Sequence, residues 1–201
     1  MIFSNILIYF VVIPLVMLGL LFLCRNINQI RTVAVVGSTA LVALSVYLVI
    51  DFLHLREAGA DAVMLYTDSW MWFEPLNIHL AIGVDGISVA MLLLSAIIVF
   101  AGTFASWKID PLPKDFFLWL ILLSTGVFGF FISIDLFTMF MFYEVALIPM
   151  YLLIGLWGTG RKEYSAMKLT LMLMGGSAFL LLGILGIYYH SAPEGGELTM
   201  N

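Results

Sequence analysis

The chain has 201 residues, of which 63% are apolar and 10% charged, where an ordinary soluble domain is about 45–50% apolar and about 25% charged. A soluble fold of this size could not hide that much apolar surface from water. The net charge of −5 excludes a basic field for nucleic acid, and the single cysteine, Cys24, excludes an intrachain disulfide framework or a CxxC motif.

What fits is an all-α, polytopic transmembrane bundle with no soluble domain. Six helices of roughly 20 residues would absorb most of the apolar positions. In chain order the apolar runs place spans at about 6–23, 33–50, 86–107, 116–134, 135–157 and 166–189. The first run lacks a charged leader and a small-residue cleavage site, so it reads as a span and not a signal peptide. Pro14 and Pro149 fall inside spans and predict kinks, which membrane helices tolerate. The long connection 51–85 carries Trp70, Trp72 and Phe73 followed by Glu74 and Pro75. Tryptophans at that level favour the headgroup interface, and the segment predicts strand or amphipathic structure resting on the bundle, with a partner-docking patch as the alternative. The polar, turn-rich stretch from Ser191 to Glu197 reads as a loop, and the whole as the N-terminal part of a longer chain.

Charge asymmetry orients the spans. Arg25, Arg31, Lys108, Lys114, Arg161, Lys162 and Lys168 fall on one side. Asp51, Glu57, Asp61, Asp68, Glu74, Asp85, Glu194 and Glu197 fall on the other, with only Arg56 against them. The expectation is an N-terminus outside and basic loops in the cytoplasm, in a bacterial inner membrane or, as the alternative, an organellar energy-conserving membrane.

Glu144 is the most informative residue. It lies near the middle of the fifth span, where an ionised side chain costs at least about 2.5–3.5 kcal/mol. Such a group needs a cation, a water-filled cavity or a proton. Burial raises a carboxyl pKa and a nearby lysine lowers it, so a carboxyl whose pKa responds to a movable cation is the physical basis of a proton relay. The bland alternative is a protonated Glu hydrogen-bonded between helices. Lys168, about one turn into the sixth span, is the second candidate, and it could equally snorkel to the headgroups. Arg161 and Lys162 read as topology signals. Asp135 and Asp85 read as helix N-caps. His79 and His190 stand at membrane boundaries. Ser124, Thr125, Gly126 and Gly129 in the fourth span, with Gly175, Gly176, Ser177, Gly183 and Gly186 in the sixth, predict close helix contacts, or room for water near Glu144. No nucleotide-binding glycine motif and no span-wise histidine pair for haem is present.

The string FYEVALIPMYLLIGLWG at 142–158 resembles the central helix of the M-type antiporter-like subunit of respiratory complex I. GVDGIS at 83–88, RKEYSAMK at 161–168, GGS at 175–177 and YYH at 188–190 fit the same family. The resemblance implies a membrane subunit of a proton-translocating NADH:quinone oxidoreductase, driven by quinone reduction elsewhere in the complex. It maps the family's key glutamate onto Glu144 and a basic residue early in the sixth helix onto Lys168. The family's further lysines lie on later helices, beyond this chain. Where relatives carry Trp before the glutamate, this chain has Tyr143. The implied partners are the other membrane subunits of complex I and the lipid bilayer. Quinone, NADH, flavin and iron–sulfur clusters are expected in partner subunits, with no cofactor and no metal in this chain. The competing readings are a subunit of a multi-subunit cation/proton antiporter and a non-transporting membrane scaffold. A membrane hydrolase fails, because Ser177 and His190 lie roughly 20 Å apart along one helix.

Overall fold

The computed structural model describes residues 5–59, 62–73 and 78–190. Asp61, Glu74, Pro75, the stretch from Ser191 onward and the side chain of His190 lie outside the described residues. After a 3-10 turn at Ile6–Ile8 come α1 (Tyr9–Leu23), α2 (Ile27–Glu57), a hairpin of β1 (Leu65–Phe73) and β2 (Ile78–Val84), then α3 (Gly86–Ala105), α4 (Pro113–Ile132), α5 (Leu136–Trp157) and α6 (Lys162–His190). Six of these segments are long and apolar enough to cross a bilayer. The chain is an integral membrane helical bundle, with no soluble domain among the described residues.

Helix α2 starts at Ile27 and ends at Glu57, well outside the apolar run at 33–50. Hydropathy marks where polar side chains begin, whereas helical bonding continues past that point. At the start, Asn26 and Gln29 form a reciprocal capping box.

The core is built by α1 to α4 and the hairpin. Phe10 and Leu21 of α1, Leu41 and Leu48 of α2, Leu92 of α3, Phe117 and Phe128 of α4 and Val84 of β2 are all fully buried in one cluster. Helix α5 packs on α4, and α6 packs on α5. Half of the most apolar stretch of α4 is buried, against 11% in α5 and in α6. The last two helices therefore form an open edge of the described bundle.

The hairpin lies in the 51–85 connection, whose first residues, through Glu57, are still part of α2, and it is pinned at two places. The Tyr66 hydroxyl donates to the Asp51 carboxylate, and Asn5 Nδ2 donates to the Tyr66 carbonyl at 2.6 Å. Burial, then the bond to Asp51, push the Tyr66 phenol well above its ordinary pKa, so it stays a donor. On the other strand, Ile134 N–H donates to the Ala81 carbonyl at 2.9 Å, tying β2 to the α4–α5 connection. The Trp72 ring lies tilted beside Phe137 of α5, with ring centroids 6.1 Å apart.

One end of the bundle gathers the basic residues. Arg31 sits over the Trp107 ring at 5.1 Å. Lys114, in the first turn of α4, donates to the Phe22 and Cys24 carbonyls at 3.0 and 2.9 Å. These are carbonyls that the end of α1 leaves unpaired. Lys114→Met is expected to cost about 1 kcal/mol, read as a lower thermal unfolding midpoint in detergent, while Lys108→Met changes nothing measurable. Lys162 does the same for α5, donating to the Leu156 carbonyl at 2.6 Å. Both lysines are helix caps as well as charges on a loop.

Candidate functional site

The carrier of Glu144 is held firmly at its start. Asp135 is fully buried and caps α5, its Oδ2 accepting from the Thr138 N–H at 2.8 Å and from the Thr138 hydroxyl at 3.1 Å. Its other oxygen, Oδ1, is buried without a partner among the described residues. Helix α3 is capped the same way: Asp85 Oδ1 accepts from the Ser88 N–H at 2.7 Å. That backbone bond holds the Asp85 carboxyl below the usual carboxylate range. A lowered folded pKa adds stability that is present above the unfolded value of about 3.9 and lost as pH falls through the folded value. Asp85→Ala is expected to cost about 1 kcal/mol near neutral pH. In acid unfolding, the gap between variant and native should close as the native aspartate protonates.

From that anchor α5 runs ~12 Å to Glu144, about halfway along its length. Glu144 lines a largely apolar cavity of about 480 Å³ between α5 and α6, with Phe140, Met141, Ile148 and Met174. Its Oε1 is buried and has no hydrogen-bond partner among the described residues. A buried, unmatched carboxyl oxygen is costly, and keeping one calls for a compensating donor, water or proton. Pro149, lacking an N–H, cannot donate the i to i−4 helical bond to the carbonyl of Val145, another residue on the cavity wall.

Lys168 is placed differently. Along α6, Ala166, Thr170, Leu173, Ser177 and Ile184 recur at helical spacing and are the covered side. Lys168 is exposed and ~200° round the helix from Ala166. Gly155 and Ala166 face each other across α5 and α6, a Cβ on the glycine lying 3.6 Å from the alanine's. Counting from that register sets Lys168 ~13 Å from Glu144 along the axis. The structure does not bring the two together. It instead brings Thr170 and Tyr151 to the walls of the Glu144 cavity, two residues that sequence reading passed over. The signal for Thr170 was a lone hydroxyl in the apolar run LTLMLM at 169–174.

The small residues divide into two groups. At Gly126 and Gly129 an added Cβ would lie 2.9 Å from Ala146 Cβ and 2.2 Å from the Phe142 ring, so α4 and α5 approach closely there. At Gly175, Gly176 and Gly183 an added Cβ would meet nothing within 4 Å. Those glycines lie on the uncovered sides of α6. The Ser177 hydroxyl donates to its own helix at the Met174 carbonyl, 3.0 Å away. Among the described residues no cluster of three His, Cys, Asp or Glu could hold a metal ion.

Six long apolar helices, the first four sharing a core, with an unmatched carboxyl oxygen within the fifth, define a polytopic membrane protein. Residues 133–195 match the family described as NADH:quinone oxidoreductase/Mrp antiporter, TM. The chain is 35% identical over 136 residues to the chloroplastic NAD(P)H-quinone oxidoreductase chain 4 of Agrostis stolonifera, a match covering 68% of this chain and 27% of that one. It is 36% identical over 127 residues to the counterpart from Lemna minor, covering 63% and 25%. The chain thus spans about a quarter of the length of the curated relatives it matches. The same fold occurs in a chain of respiratory complex I from Thermus thermophilus with bound NADH, at a TM-score of 0.74 and 23% identity, covering 92% of this chain and 36% of that one. It also occurs in the membrane-bound sulfane sulfur reductase, an archaeal respiratory membrane complex, at 0.71 and 22%, covering 92% and 37%. The chain is a homologue of NAD(P)H-quinone oxidoreductase chain 4.

Proposed function

We propose that this chain is part of the membrane arm of a proton-translocating NADH:quinone oxidoreductase, where Glu144 takes up and releases a proton. The observation that carries the reading is the buried, unpartnered Oε1 at a cavity in the middle of a bilayer-crossing helix. A carboxyl so placed changes its proton affinity strongly when a cation or water approaches or leaves. Movement of a positive group at the open edge of α5 and α6 would then drive the proton on and off. About 1.4 kcal/mol accompanies each unit of pKa change, so a modest electrostatic change suffices for coupling.

Lys168 belongs to this reading at longer range. At its observed position it biases the potential around α6 and is not the direct partner of Glu144. The membrane orientation follows the charge: the basic end in the cytoplasm, the hairpin end outside, in an energy-conserving membrane. The partners are other membrane subunits, with NADH, flavin, iron–sulfur clusters and quinone handled elsewhere in the assembly. The test is Glu144→Gln in the assembled complex, with proton translocation and quinone reduction measured side by side. Undiminished translocation per electron pair would end the proposal.

The matched family also takes in Mrp antiporters, and this favours a second reading as a subunit of a cation/proton antiporter. Sodium-dependent proton exchange in vesicles, with no response to NADH or quinone, would establish it over the first.

A further inference from the structure

Helices α1 and α2 run antiparallel and meet where Met17 covers Gly37, so closely that a Cβ on the glycine would strike the methionine. Beside that contact an open groove of about 430 Å³ runs along both helices, from Val12 to Leu20 on α1 and from Thr32 to Ala40 on α2. Its wall is apolar apart from Thr32. The Thr32 hydroxyl already donates to the Asn28 carbonyl at 2.8 Å, so no side-chain donor is left over in the wall. The groove lies in the half of the bundle that carries the basic end. Leu20 stands ~5 Å inside the end of α1 at Leu23, and Val12 ~17 Å inside it. That depth is about one leaflet of a hydrocarbon core of roughly 30 Å. A partner helix would run on across the whole core, whereas the groove stops near its middle. The stretch at 24–32, CRNINQIRT, carries two arginines and no acid. Arg31 lies over the Trp107 ring, on the α3 side. Arg25 is exposed, and among the described residues its side chain has no hydrogen bond or ion pair. Counting back by turns from the groove wall, Thr32 leads to the exposed Asn28 and then to Arg25, just ahead of α2.

We propose that the α1–α2 groove binds a phospholipid with an anionic headgroup, its acyl chain along Val16, Leu20, Val36 and Ala40 and its phosphate on the Arg25 guanidinium. Depth and charge select this occupant together. Any lipid tail can fill the groove, because hydrocarbon gains little over hydrocarbon, so preference comes from the headgroup. A phosphate takes the fork of an arginine in paired, charge-assisted hydrogen bonds. The guanidinium stands at headgroup level, because α1 has just ended and α2 has not yet begun. A zwitterionic lipid brings a cation of its own, which Arg25 repels and no acid in the connection neutralises.

The experiment uses the full chain assembled in its membrane complex, in lipid nanodiscs containing a trace of phosphatidylglycerol with a diazirine on one acyl chain. After illumination the labelled peptides are mapped by mass spectrometry. Label is expected on α1 between Val12 and Leu20 and on α2 between Thr32 and Ala40. The same diazirine on phosphatidylcholine should label these segments at least about fivefold less, the preference that one cation at the membrane surface supplies. Arg25→Gln should bring the phosphatidylglycerol yield down to the phosphatidylcholine level, and Arg25→Lys, which keeps the charge, should retain most of the excess. Ala40→Phe, which fills the groove and leaves Arg25 in place, should remove the label of both lipids. If that variant does not assemble, the two Arg25 variants decide, since their side chain is exposed and packs nothing. Equal labelling by the two lipids, or an undiminished excess in Arg25→Gln, overturns the proposal. An equal loss in Lys108→Gln would reduce the preference to the general field of the basic end and overturns it as well. So does a groove without label, the result expected if a helix of another subunit or a second copy of this chain covers it.

Discussion

Glu144→Gln should abolish proton translocation, to less than about a tenth of the native ratio to quinone turnover, while the bundle still assembles. The amide keeps the shape and the hydrogen-bonding capacity of the acid but cannot exchange a proton at any accessible pH. A merely structural Glu, protonated and bonded between helices, would be replaced by glutamine at little cost to either folding or transport. Glu144→Leu sharpens the distinction. On insertion scales a charged residue at a helix centre costs about 2.5–3.5 kcal/mol, and leucine is favourable by a few tenths. Helix α5 should therefore insert more readily by roughly 3 kcal/mol in a membrane-insertion assay, in a protein that no longer translocates. Gain of insertion with loss of transport is the signature of a group kept for its chemistry. If Glu144→Leu translocated normally, the unmatched Oε1 would have no function to explain it.

Much of this frame is legible from residue order, and the exceptions have a common cause. The six apolar runs and the caps at Asp85 and Asp135 are local features, set by neighbours within a few residues. The hairpin reads from residue order only as strand or amphipathic structure, because its anchors are distant in sequence: Tyr66 to Asp51, and Ala81 to Ile134. Lys114 reads as a topology signal until the end of α1 is seen beside it, some ninety residues earlier in the chain. Lys168 was legible as a charge near the start of α6 but not as one turned away from α5. Which side of a uniformly apolar helix is covered depends on its neighbour and not on its own pattern. The same ambiguity hid the division among the glycines, since GG at 175–176 and the pair Gly126 and Gly129 look equivalent as sequence.

That division makes a direct comparison available. Gly126→Ala should destabilise the bundle by about 1–3 kcal/mol, the range for forcing an extra carbon into a packed contact. The new Cβ would stand 3.0 Å from both the Ala146 nitrogen and the Phe142 carbonyl oxygen. Those are backbone atoms of α5, so no rotamer change relieves the contact and the two helices must move apart. Ala146 and Phe142 each lie two residues from Glu144, so the movement is transmitted to the acid's own helix. Gly126→Ala is thus expected to impair translocation as well as lower the unfolding midpoint. Gly129→Ala meets a phenylalanine ring at 2.2 Å, and a ring has some freedom to turn, so its effect depends on what the ring next strikes. Gly175→Ala is the control, with open space around it. It should be neutral or slightly stabilising, because alanine is the better helix former by about 0.5–1 kcal/mol. Thermal unfolding of the three variants in the same detergent decides the matter: if Gly126→Ala proved as stable as Gly175→Ala, α4 and α5 would not be in close contact, and the positioning of Glu144 would need another explanation.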